Sequence, residues 1–187
     1  MMRAFIAITP PATLQQTVAA VRQVFQHLSL PWRWVTPDHI HLTLRFLGNV
    51  PDDFAPSLLQ AIEQATQDQT TFPLRAKALG CFPHPARPRV LWVGLDDPSQ
   101  TLGHLNERLM AALTPLGFPP EDRPFHPHLT LARVQNRMPS SQLLPILKTY
   151  QNMDFGEFLV TRIYLVQSHL QRIGYLHTIL RSVTLHS

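Results

Sequence analysis

A single cysteine, only two lysines and no long apolar run set limits on this 187-residue sequence before any motif is considered. The lone Cys81 cannot close an intramolecular disulfide, so the fold must rest on its own core. At this length one domain buries roughly 70% of the surface its unfolded chain exposes, and no staple is required. No charged-then-apolar leader opens the chain, and no apolar segment approaches the ~20 residues of a membrane-spanning helix. A soluble protein of a reducing, cytoplasmic compartment, with no membrane partner, is the expectation. Basic residues outnumber acidic ones 16 to 12, yet only Lys77 and Lys148 are lysines; the rest are arginines. A planar guanidinium matches phosphate oxygens in pairs, so the bias suits phosphodiester recognition, although genomic base composition would produce it too. The moderate net charge of +4 argues against tight non-specific binding along a duplex.

The apolar pattern predicts strands and helices in alternation. Arg3 to Ile8 reads as a strand, and Thr9 followed by Pro10 and Pro11 as the capped start of a helix. Leu14, Val18, Val21, Phe25 and Leu28 give that helix one core-facing stripe, ending near 29–31. A strand over His39 to Phe46, a turn from Gly48 to Asp53 and a helix using Phe54, Leu58, Leu59 and Ile62 follow. Phe72 to Leu79 and Val90 to Leu95 read as strands on either side of a proline-rich loop from Phe82 to Pro88. Ser99 is placed to cap a helix with the stripe Leu102, Leu105, Leu109 and Leu113, which a proline-rich connection joins to a strand from His128 to Arg133. Ser140 is placed to cap a short helix limited by Pro145, and 155–168 with 174–185 form a terminal antiparallel pair turning near Gln171 to Gly174. The result is one compact, two-lobed α+β unit over 1–187 with largely antiparallel sheets.

The tetrapeptide His-Leu-Thr-Leu occurs at 41–44 and again at 128–131, 87 positions apart, each time in a predicted strand. Side chains alternate along a strand, so His41 and Thr43 share one face while Leu42 and Leu44 enter the core; the second copy repeats this. Each His-Thr pair spans about 6.6 Å at its roots, a separation suited to gripping one phosphate. Apolar alternation accounts for the leucines but gives no reason for histidine and threonine to recur opposite them. Opening a cyclic phosphate needs a base for the attacking water and an acid for the leaving ribose oxygen, and histidine, with an ordinary pKa near ~6.5, serves as either. The threonine hydroxyls supply donors for the non-bridging oxygens. Residue pattern alone does not say which histidine is the acid.

The two motifs, with Arg3 to Ile8, His41 to Gly48, Arg89 to Gly94 and Phe125 to Arg133, resemble the RNA 2′,3′-cyclic phosphodiesterases, also called 2′-5′ RNA ligases, among the two-histidine phosphoesterases. The resemblance covers nearly the whole chain. It implies a bilobal fold of two mainly antiparallel sheets flanked by helices around a central groove, one motif per lobe. It further implies metal-independent hydrolysis of cyclic RNA ends or cyclic nucleotides to 2′-phosphomonoesters by a cofactor-free monomer. His41 would then be the proton donor and His128 the proton acceptor, with reversible 2′-5′ ligation as the same chemistry run backwards. Arg133 matches an arginine of the family's second motif and is expected at the substrate phosphate with Thr43 and Thr130. On a regular strand it faces away from His128, and only a bulge or strand end brings it back.

Other neighbours admit two readings each. Arg45 shares the His41 face of a regular strand and is either a phosphate contact or a solvated charge. Phe82 and Phe125 either stack on a base or pack in the core. His39 and His126 make a His-x-His spacing at each motif, but only Asp38 and Asp122 lie near as carboxylate ligands, which disfavours a metal-dependent phosphohydrolase. An RNA-end-binding module without turnover is the remaining alternative.

Overall fold

The first strand, Met2–Ile8 (β1), is apolar at nearly every position because it lies in the middle of a sheet. A computed structural model describes residues 1–26, 32–134, 140–171 and 174–187. Leu28, the expected helix end at 29–31, the side chain of Ser140 and the turn residues 172–173 lie outside what is described.

Pro11 itself, not Thr9, flanks the first helix, Ala12–Ala19 (α1), with an extended backbone and no side-chain cap. Two consecutive prolines hold the chain extended past Thr9, so helical hydrogen bonding begins later, from Gln15 N–H to the Pro11 carbonyl at 3.0 Å. The helix tightens into a 3₁₀ segment over Ala20–Phe25, and Leu14, Val18, Val21 and Phe25 are buried as the stripe requires. A three-residue strand, Trp32–Trp34 (β2), departs from the expected pattern; it is too short to show periodicity. The next strand runs Leu42–Val50 (β3), beginning later and ending later than expected. Gly48 does not turn the chain. Its φ of 72° absorbs a bulge that places Phe46 opposite Phe5 and Gly48 opposite Ala4.

The helix Ala55–Thr66 (α2) buries Leu58, Ala61, Ile62 and Ala65. Strands Phe72–Phe82 (β4) and Val90–Asp96 (β5) flank the proline-rich loop, and the helix Thr101–Leu113 (α3) buries all four leucines of its stripe. The carboxylate of Asp97, rather than Ser99, accepts from the first turn, taking the Leu102 N–H at 2.8 Å while Ser99 donates to its other oxygen at 2.9 Å. Strand His128–Val134 (β6) is followed by the helix Ser140–Thr149 (α4), which continues through Pro145; one missing N–H does not end it. The segment expected as one strand from 155 to 168 is two, Asp154–Val160 (β7) and Arg162–Gln171 (β8), and β8 pairs with Gly174–Thr184 (β9). The break falls at Thr161, where the chain passes from one half of the molecule to the other; Thr161 and Arg162 are both exposed between buried Val160 and Ile163, so the alternation shifts by one residue there.

Among the described residues the strands form one curled sheet in the order β7-β4-β5-β6-β3-β1-β8-β9, with β2 alongside β6. Its two halves meet through the pair Leu42–Leu129 and, outside the named strands, through an isolated parallel bridge between Thr70 and His186. The expected two sheets are therefore two antiparallel halves of one: lobe 1 is β3-β1-β8-β9 and lobe 2 is β7-β4-β5-β6. Helices cover one face, where a single large apolar cluster runs through both lobes. Arg108 of α3 ties into the end of α2 by donating to the Ala65 carbonyl at 2.9 Å and to Gln69 Oε1 at 2.6 Å. On the opposite face a second, small cluster forms from Phe5, Ala7 and Val166 with Tyr164.

Candidate active site

Both motifs stand where the two half-sheets join. His41 immediately precedes β3 and His128 opens β6. Strands β3 and β6 run antiparallel through Leu42–Leu129, so His41 lies on the Thr130 side of that pair and Thr43 on the His128 side. Leu42, Leu44, Leu129 and Leu131 are all buried against the helices, so alternation turns the two histidines and two threonines onto the open face. Four polar side chains thus share the open face at the junction of the two half-sheets.

Each imidazole is held in the same way. The Nδ1 of His41 lies 2.7 Å from the carbonyl oxygen of His39, and that of His128 lies 2.7 Å from the carbonyl of His126. A carbonyl only accepts, so Nδ1 carries the proton in both neutral rings and the Nε2 lone pair is left available. The His-x-His spacing thereby acquires a role through main-chain oxygens. Among the described residues no three His, Cys, Asp or Glu side chains are grouped as a metal site would require.

Arg133 reaches the open face because β6 bulges. Leu91 pairs with Ala132 and Trp92 with Thr130, which leaves Leu131 as an extra residue. Leu131 and Ala132 are consecutively buried, and Arg133 returns to the face of His128 and Thr130. Its charge bears on both histidines. The same irregularity in β3 has the opposite result for Arg45, which shares the His41 face only in an unbulged strand. Ala7 pairs with Thr43 and Ile6 with Arg45, so Leu44 and Arg45 are buried in succession. Arg45 donates to the Pro119 carbonyl and forms an ion pair with Glu121 at 2.9 Å, fastening the connection that leads to the second motif. The position five residues after His41, matching Arg133, belongs to Phe46.

Aromatic rings flank both histidines. Phe5 stacks on His41 at 4.8 Å, and His177 of β9 meets His41 edge-on at 5.2 Å and His39 at 4.9 Å. Around His128 stand Phe82 at 5.0 Å and Trp92 at 6.2 Å, and His126 packs on both of these rings. Phe82 therefore lines the site, whereas Phe125 packs against the core. Sequence reasoning misses His177, Phe5 and Trp92. Nothing in the sequence joins β9 to the first motif, and Phe5 and Trp92 are indistinguishable there from core residues.

The lobes fill the space beside their threonines differently. Thr43 pairs with Ala7, whose other neighbour is Tyr164; Thr130 pairs with Trp92, whose other neighbour is Gly80. A Cβ on Gly80 would come within 2.1 Å of the Trp92 ring, so the indole lies directly over that glycine.

Burial is the main cause that lowers the pKa of His41, to about 4; the cationic forms of His177 and His39 and the Arg133 charge add to it, while the His39 carbonyl opposes them. His128 is lowered as well, by burial first and then by His126 and Arg133, against its own carbonyl partner. His177 is lowered chiefly by burial. With no anion bound, both motif histidines are neutral at pH 7, and an anion placed between them favours the imidazolium of either.

Two histidine-threonine motifs at the junction of a curled antiparallel sheet, backed by helices, define a two-histidine phosphoesterase. The sequence profile of the 2′-5′ RNA ligase superfamily matches residues 6–172, and the chain belongs to that family. It is 32% identical over 166 residues to an RNA 2′,3′-cyclic phosphodiesterase of Aeropyrum pernix, covering 89% of this chain and 93% of the relative. An Aquifex aeolicus protein of the same description is 27% identical over 179 residues, covering 95% and 94%. Among solved structures, a Thermus thermophilus protein superposes with a TM-score of 0.81 at 29% identity over 98% of both chains. Escherichia coli LigT complexed with 3′-AMP gives 0.78 at 27% identity over 100% of this chain and 99% of that one.

Proposed function

We propose that this chain hydrolyses RNA 2′,3′-cyclic phosphate ends to 2′-phosphomonoesters without metal, with His41 as proton donor and His128 as proton acceptor. The observation that carries this reading is the matched pair of imidazoles on either side of the Leu42–Leu129 pair, each with Nδ1 tied to a carbonyl two residues back. His128 Nε2 takes a proton from water; the water oxygen bonds to phosphorus as the bond to O3′ breaks, and His41 Nε2–H delivers a proton to O3′. Each transfer contributes about 10²–10⁴-fold. Thr43 and Thr130 donate to the non-bridging oxygens, and Arg133 offsets their charge. Since burial lowers the pKa of His41 to about 4, the substrate's own negative charge assists in protonating it. The order of the two histidines follows the family assignment.

The reading extends to a single bilobal monomer of the cytoplasm, and to ligation of 2′-5′ ends as the reverse reaction. Among the described residues no helix is long and apolar enough to cross a membrane. The deciding experiment incubates the protein with cyclic-ended RNA in excess chelator and assays the 2′-phosphate. Product formation supports the proposal. Loss of turnover in chelator points to a metal hydrolase, and binding with no product at all points to an RNA-end-binding module.

A further inference from the structure

The open face of lobe 1 continues outward from His41 as an exposed, carboxylate-free surface. Phe46, Phe5, Val166 and Ile179 stand side by side in register across β3, β1, β8 and β9. Phe46 is 58% and Ile179 57% exposed, although both are large and apolar. Two residues from Ile179 along β9 is His177, in contact with His41 and Phe5, and two further is Tyr175, 43% exposed. The Arg3 guanidinium lies 5.9 Å from the centre of the Tyr175 ring. The surface is thus continuous with the site. Phe5 and Val166 in the middle of the row are buried, and Phe46, Ile179 and Tyr175 are its uncovered part; soluble chains leave large apolar side chains grouped at a surface chiefly where a partner docks.

Charge identifies the partner. Strands β1, β3, β8 and β9 contain no aspartate or glutamate, whereas β5 and β7 of lobe 2 carry Asp96, Asp154 and Glu157. Of the acids flanking lobe 1, Asp52 is held by the chain's amino group at 2.8 Å and Asp38 lies 3.8 Å from His39. Exposed rings and aliphatic side chains beside an arginine, with no carboxylate among them, suit the bases and phosphates of a single strand. The chemistry fixes its direction. If His41 protonates O3′, the ribose that carries O3′ lies toward lobe 1, and the only covalent exit from a 2′,3′-cyclic nucleotide is through its 5′ oxygen.

We propose that the open face of lobe 1 is a stacking platform for the nucleotides immediately 5′ of the cyclic end, which makes a short single-stranded RNA tail, rather than a cyclic mononucleotide, the preferred substrate. This inference rests on the functional reading above, and its test has one arm that needs turnover and one that does not. In the first, kcat/KM for a cyclic-ended tetranucleotide is compared with that for the cyclic mononucleotide; one stacked base predicts a ratio of about ten or more. The double variant Tyr175→Ala/Ile179→Ser lowers that ratio severalfold, and Leu159→Ser, equally exposed on lobe 2 at 55%, leaves it where it was. In the second arm, affinity for a tetranucleotide ending in a 2′-phosphate is measured against that for the 2′-mononucleotide, with the same variants. A length advantage that the lobe 1 variant removes supports the platform in either arm. Equal values for long and short ligands, an advantage insensitive to the lobe 1 variant, or self-association through this face that the variant abolishes would overturn it. Absence of hydrolysis with a length advantage in binding defeats the functional reading while leaving the platform standing.

Discussion

Lobes 1 and 2 carry the same motif, the same carbonyl contact and the same bulge three residues after the histidine, yet they differ in residues around it. Where lobe 2 presents Arg133, lobe 1 presents Phe46; where lobe 2 sets Trp92 over Gly80, lobe 1 sets Ala7 beside Tyr164. The shared part is what acid–base chemistry requires of either histidine. The differing part is charge: aromatic rings flank both histidines, but lobe 2 adds Arg133 where lobe 1 has Phe46.

The symmetry is tested most severely at the histidines. His41→Ala and His128→Ala are each expected to lower kcat by about 10³–10⁴-fold with folding retained, and the double variant to be scarcely worse than either, as befits groups acting in one step. Single-turnover rates on cyclic-ended RNA check this; two independent, multiplying losses would mean that the lobes do not act together. Next in size is the asymmetry of charge. Arg133→Gln should lower kcat/KM by roughly 10²-fold. Because the Arg133 charge lowers the pKa of His128, its removal should also move the acid limb of the pH profile to higher pH. Phe46→Ala carries no charge and should leave that limb in place.

A smaller effect separates the lobes by burial. With a folded pKa of about 4, His41 binds fewer protons than its unfolded counterpart between pH 4 and ~6.5. Stability from this group is full above ~6.5 and is lost as pH falls toward 4, by about 2–3 kcal/mol. Urea denaturation at pH 7.5 and 4.5 should show that loss, and His41→Gln should reduce it more than His128→Gln, since His128 is the more open of the two. An equal effect would remove the distinction. Smallest is the packing difference: Gly80→Ala drives a methyl into the Trp92 ring and should cost about 1–3 kcal/mol. Much of that cost should disappear when Trp92 is also replaced by leucine, read as the change in Tm.

How far the sequence foretells this structure depends on whether a feature is periodic. The leucines of both motifs, the α3 stripe and the β8–β9 pair are repeats of period 2 or 3.6, and they lie where their spacing puts them. Bulges interrupt a period without leaving a mark. The faces of Arg45 and Arg133 are therefore exchanged relative to a regular strand, and only the register of each strand with its neighbour reveals it. The break at Thr161 leaves only a one-residue shift in the apolar alternation, from Val160 to Ile163, while the pairing partners change from β4 to β1. His177 is invisible for want of any local signal; it reaches His41 across the sheet from 136 positions further along the chain.

The carbonyl contacts of His41 and His128 have a bearing on how such a site tolerates change. In many acid–base enzymes a carboxylate side chain aims the imidazole, and replacing that one residue misdirects the proton. Here the aiming group is the peptide oxygen of residues 39 and 126, present whatever amino acid stands there. The imidazoles at 39 and 126 pack against neighbouring rings, but no single substitution at either position deletes the acceptor. The vulnerability passes instead to the course of the main chain, so that a shortened or lengthened turn before either motif would disarm the site more surely than a changed residue within it.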